Sequence, residues 1–176
     1  PICNEQVTQY YVVSLIGKTL VLLIAPINTI VISYLTKRKE RLTRSQFGKA
    51  VLAGGGVSLV FFVACQIGTP LFVWLFYRNL YESVKGIVTV VNLAQILGLF
   101  SAFLFILVLT FTDERWQLWI QLAHFCILLV SSVLAARTYG MMGFAVASLG
   151  ANSLRVAAVV ILGIVKAGKD KGDRNA

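Results

Sequence analysis

The chain has 176 residues, 58% of them hydrophobic and 13% charged, with a mean hydropathy of +0.82 and a formal net charge of +9. A soluble domain carries roughly 25% charged residues, so this composition does not furnish a water-facing surface. Lipid, which does not penalise exposed Leu, Val, Ile or Phe, is the solvent it fits, and at roughly 20 apolar residues per crossing about five crossings leave no room for a globular catalytic domain.

The first apolar segment covers residues 10–35, interrupted by Lys18 and Pro26, and ends in Lys37, Arg38, Lys39, Glu40, Arg41 and Arg44. The second covers 50–77, opening on Gly54-Gly55-Gly56 and broken at Gly68-Thr69-Pro70; a polar turn runs from Arg78 to Lys85. The third covers 86–111 and stops at Thr112-Asp113-Glu114-Arg115. The fourth covers 117–137, with a turn at Thr138-Tyr139-Gly140, and the fifth covers 141–165, followed by a basic tail over 166–176. Each is long enough to cross as a helix, the conformation that satisfies every backbone group internally. The expected fold is all-α: one polytopic transmembrane bundle of about five helices. The chain starts at Pro1 without an initiator Met and without signal-peptide character, so either processing or, as the favoured expectation, membership of a longer chain accounts for its start.

Orientation follows from the Lys and Arg bias of the loops. Lys37, Arg38, Lys39, Arg41, Arg44 and Lys49 fall on one side with Arg115, Lys166, Lys169, Lys171 and Arg174; the other side has Arg78, Lys85 and Arg137. The N-terminal end is therefore expected outside and the tail in the cytoplasm of a cell inner membrane. Tyr10, Tyr11, Trp74, Tyr77, Tyr81 and Tyr139 would form the outer aromatic belt, and Tyr34, Trp116 and Trp119 the inner one. The positive charge is explained by topology and anionic membrane lipids, and nucleic acid is not an expected partner because reading motifs and stacking platforms are missing. Cys3, Cys65 and Cys126 have no metal or redox spacing, so they read as small packing residues, and no metal or other cofactor is expected. No zinc-protease motif, nucleophile elbow or paired carboxylates occur, which argues against an enzyme.

Ionisable groups inside a span are costly and usually face a cavity or a partner. Lys18 is close enough to the outer end to snorkel. Arg155 is not: roughly 15 to 20 Å of helix separates it from either end of its segment. All seven acidic residues (Glu5, Glu40, Glu82, Asp113, Glu114, Asp170 and Asp173) lie in loops or tails. Arg155 therefore takes a carboxylate from elsewhere, is satisfied by carbonyls and water, or, with Lys18, lines a path for an anionic substrate. Asn92 and Gln95, Gln121 and His124, and Asn152 and Arg155 are pairs three residues apart, each on one helix face. Singly, such amides read as interhelical hydrogen bonds; together they suggest a shared polar cavity. Ser14, Lys18 and Thr29 share a stripe on the first segment, and His124 reads as an interior histidine or a proton carrier. Gly143, Ala147 and Ala151 form a small-residue face for close packing.

Read in order, these elements resemble the polysaccharide and O-antigen flippases of the multidrug/oligosaccharidyl-lipid/polysaccharide exporter superfamily. The likeness rests on Gln9-Tyr10-Tyr11-Val12-Val13 entering a helix with a late Pro26, on Thr69-Pro70-Leu71-Phe72-Val73-Trp74-Leu75-Phe76-Tyr77, on the turn Arg78-Asn79-Leu80-Tyr81-Glu82-Ser83, and on Tyr139-Gly140-Met141-Met142-Gly143-Phe144-Ala145-Val146-Ala147, similar to a "G..GaAiA" signature. Arg78 departs from the pattern, standing where the family usually has Gly. The resemblance implies part of the C-terminal lobe of a two-lobed transporter, partnered by an N-terminal lobe outside this sequence. It implies alternating-access flipping of a lipid-linked, pyrophosphate-bearing oligosaccharide for polysaccharide or lipopolysaccharide synthesis. The candidate substrate-binding residues are Arg155, Lys18, Asn152, Gln121, His124, Asn92 and Gln95. A multidrug or metabolite exporter of the same superfamily and a non-transporting membrane scaffold are the alternatives.

Overall fold

A computed structural model describes residues 4–37, 43–109 and 111–167 of the chain. The described residues form four helices, α1 (Asn4–Lys37), α2 (Arg44–Phe76), α3 (Tyr81–Leu109) and α4 (Glu114–Lys166), with one 3₁₀ turn, Arg78–Leu80, between α2 and α3. There is no strand among them. Cys3, Arg38 to Arg41 and the tail beyond Ala167 lie outside the described residues, as do the side chains of Tyr34 and Lys37.

Among the described residues three helices, Arg44–Phe76, Arg78–Leu109 and Arg115–Lys166, are long and apolar enough to cross a membrane. The last is not one rod. Gly140 has φ 61° and ψ −145°, outside the helical region and in a part of backbone space that glycine alone visits without strain. The Lys166 ammonium lies 5.5 Å from the Trp116 ring, whereas fifty residues of continuous helix would hold them about 75 Å apart. The chain thus folds back at Gly140 into two antiparallel arms, residues 114–139 and 141–166. Gly143 makes the fold-back possible: a Cβ there would stand 2.2 Å from the Ala135 carbonyl oxygen. The Gly143, Ala147, Ala151 face is accordingly the one that closes against the first arm, with Gly143 and Ala151 buried.

The helices start earlier than their apolar runs suggest. α2 begins at Arg44 rather than near residue 50, because Thr43 and Gln46 form a capping box. The Thr43 hydroxyl accepts from the Gln46 N–H at 3.4 Å, and the Thr43 N–H donates to Gln46 Oε1 at 3.1 Å, satisfying two backbone donors at the helix start. Pro26 and Pro70 sit inside α1 and α2 without ending either helix.

α3 is the hub. Over its most apolar stretch 39% of it is buried in protein, against 6% for α2 and for α4; α1, α2 and the second arm of α4 all pack on it. One apolar cluster at the Gly140 end joins Val12, Val13, Val73, Val84, Val91 and Ala145. A second, at the opposite end, joins Phe47, Leu104, Leu107, Val108, Phe111 and Val159. Ser14, Thr69, Asn92 and Ser101 are buried at 1% exposure or less. Elsewhere the outer surface is apolar, with Leu22 75% and Leu52 78% exposed, an arrangement that costs nothing where lipid is the solvent.

Candidate functional site

The polar side chains singled out by sequence do not meet in one cavity. They are distributed over three faces of α3. On the face toward α2, Asn92 is almost wholly buried and fully engaged. Its Nδ2 donates to the Cys65 carbonyl at 3.2 Å and to Gln66 Oε1 at 3.0 Å, and its Oδ1 accepts from the Thr69 hydroxyl at 3.2 Å. Gln66 Nε2 in turn donates to the Thr89 hydroxyl at 2.9 Å. Gln66, Thr69 and Thr89 were not singled out as site residues, although Gln66 and Thr69, and Thr89 and Asn92, have the same three-residue spacing as the pairs that were; the meeting of α2 and α3 brings them together.

On the face toward α1, Gln95 Nε2 donates to the Ser14 carbonyl at 3.3 Å. Its Oε1 lies against Gly17, where a Cβ would be in collision with it, and has no hydrogen-bond partner. Lys18, next in sequence to Gly17, turns the other way. It is exposed, with its ammonium 4.4 Å from the ring of Tyr11, about two helical turns toward the N-terminal end of α1. Ser14 is buried while Lys18 and Thr29 are exposed, so the expected stripe on α1 divides between protein and lipid.

The third face receives the second arm of α4. Asn152 Nδ2 donates to the Ala94 carbonyl at 2.9 Å, beside Gly98. Arg155 follows on the same helix face. Its guanidinium carbon is 5.5 Å from the centre of the Phe105 ring, a cation–π contact, and its Nε is buried without a hydrogen-bond partner. Across the hairpin, His124 stands against the Ala151 backbone and within electrostatic reach of Arg155; its Nδ1 is also buried and unpartnered. Gln121, three residues earlier, is exposed on the first arm and does not join this group.

The expected convergence is thus narrower than seven residues: His124, Asn152 and Arg155 come together, while Asn92 and Gln95 hold neighbouring helices and Lys18 and Gln121 point away. Among the described residues the ion pair is Lys85 with Glu82, on one exposed helix turn, and no carboxylate approaches Arg155. A guanidinium with a buried N–H to spare and no carboxylate beside it can receive an anion. The Arg155 N–H can supply a charge-assisted bond while the Phe105 ring faces its guanidinium. No known protein family, characterised protein or solved structure matches the chain.

Proposed function

We propose that the chain is the five-crossing part of a two-lobed transporter of the cytoplasmic membrane, with its N-terminal end outside and its C-terminal tail in the cytoplasm. α1, α2, α3 and the two arms of α4 each make one crossing. In this reading the protein flips a lipid-linked, pyrophosphate-bearing oligosaccharide by alternating access, and Arg155 meets the pyrophosphate with help from His124 and Asn152. The observation that carries it is the Arg155 guanidinium, deep in an apolar helix with an unpartnered Nε and no carboxylate beside it among the described residues. A cation is retained at such a place when it serves an anion.

Replacement of Arg155 with Ala and, separately, with Lys tests this in the full-length protein, with glycan export and the amount inserted in the membrane both measured. A charge-assisted hydrogen bond is worth about 1.5–3 kcal/mol, so Arg155→Ala should lower export about tenfold to a hundredfold at normal insertion. Arg155→Lys, which keeps the charge but not the planar fork, should fall between. Unchanged export in Arg155→Ala ends the proposed role. Loss of drug efflux instead identifies a multidrug exporter, and loss of partner association alone identifies a scaffold.

A further inference from the structure

Lys18 faces outward from the middle of the bundle. Its neighbour Gly17 lies against Gln95, and Gln95 is the central residue of α3, Tyr81–Leu109. In a membrane that α3 crosses, that level is about 15 Å from either surface of the hydrocarbon core, and the four-carbon stem of a lysine spans less than half of the distance. The ammonium turns toward the N-terminal end of α1, to 4.4 Å from the Tyr11 ring, and stops short of the headgroups. The apolar run puts Lys18 within reach of the surface; its level against α3 does not.

The face around Lys18 suits neither lipid nor water. Tyr11, Lys18, Leu22, Thr29 and Ser33 are all exposed and fall within about 60° of one another around the helix. On α2 the exposed residues from Leu52 to Leu71 carry no polar side chain, with Val57, Val60, Val63 and Ile67 among them, and hydrocarbon is what a lipid-facing surface requires. On α1 an ammonium shares its stripe with Leu22, which is 75% exposed and would be costly in an aqueous wall. A charged side chain within a span usually faces protein and pairs with an opposite charge.

The charge identifies the partner. Lys18 has no ion pair among the described residues, and the hydroxyl of adjacent Thr19 is already spent on the Leu15 carbonyl at 2.9 Å. A single positive charge is balanced by one carboxylate and not by the several charges of a pyrophosphate. A second copy of this chain brings no such group, because all seven acidic residues lie in loops, in tails or at helix ends. We propose that this face of α1 docks a transmembrane helix from outside these 176 residues, carrying one Asp or Glu near the level of Gln95 and paired through it with Lys18. Tyr11 and Leu22 pack against that helix on either side of the ion pair. The interface is independent of Arg155 and of what the chain transports.

A photoreactive amino acid in place of Leu22, in the full-length protein in its own membrane, tests this, with the cross-linked peptide sequenced. The expected adduct is an apolar segment outside this sequence with an Asp or Glu within one helical turn of the attachment point. Lys18→Met should lower its yield about threefold, the scale of one intramembrane polar contact, and Lys18→Arg, which keeps the charge, should not. Charge exchange gives a second readout: Lys18→Asp and the partner's carboxylate changed to Lys should each lower the yield, and the two together should restore it. Labelling of phospholipid alone, of a segment without an acid, or of a second copy of this chain overturns the proposal. So does a charge exchange that fails to restore the yield.

Discussion

Two faces of α3 handle buried polarity in opposite ways. Toward α2, Asn92 exchanges three hydrogen bonds with Cys65, Gln66 and Thr69, and Gln66 passes the chain on to Thr89. Toward α4, Asn152 makes one bond, to the Ala94 carbonyl, and the groups beyond it, Arg155 Nε and His124 Nδ1, make none. A closed network has nothing left to offer a ligand and serves to fix two helices in register. An open one stores the cost of unmet donors, and that cost is recovered when something binds. The first arrangement fixes two helices in register, and the second leaves the buried Arg155 Nε without a partner.

The contrast can be broken by three substitutions, each read as unfolding free energy in detergent micelles. Asn92→Leu should have the largest effect, a loss of about 2–3 kcal/mol, because it strands Thr69, Gln66 and the Cys65 carbonyl together. Asn152→Leu removes a single bond and should cost about 1 kcal/mol. Arg155→Leu should cost nothing measurable, or stabilise by up to about 1 kcal/mol, since an apolar side chain replaces a buried charge that has no ion-pair partner. Should Arg155→Leu destabilise as much as Asn92→Leu, the cation is holding the fold together and the distinction between the two faces collapses.

Much of the architecture was legible because lipid imposes simple rules. Apolar runs located the helices, Gly140 marked the fold-back, and the Gly143, Ala147, Ala151 spacing marked the face that closes on it. Helix starts were less accessible to hydropathy, since Asn4 to Gln9 and Arg44 to Lys49 are polar yet helical. The Thr43 to Gln46 capping pattern was available in the sequence and is the signal that would have moved α2 to its observed start. Partner choice was the harder problem. Spacing places Asn92 and Gln95 on one stretch of helix, but it does not say that Asn92 meets α2 while Gln95 meets α1. The same limit applies to Lys18 and Gln121. Their residue types suit an interior site, and only the rotation of α1 and of the first α4 arm about their axes turns them outward.

The bond from Arg44 Nε to the Ile164 carbonyl, at 3.0 Å, ties the first turn of α2 to the last turn of α4 across 120 residues of sequence. Asn92 and its partners on α2 are separated by no more than 27 residues. At about 5–20 residues per second of synthesis, α2 and α3 can pair within a few seconds of emerging, whereas Arg44 waits about 6–24 s for its acceptor. The order of assembly is thereby written into the chain: the α2–α3 pair is an early nucleus, and the Arg44 clasp is a late lock that closes only after both arms of the hairpin are made.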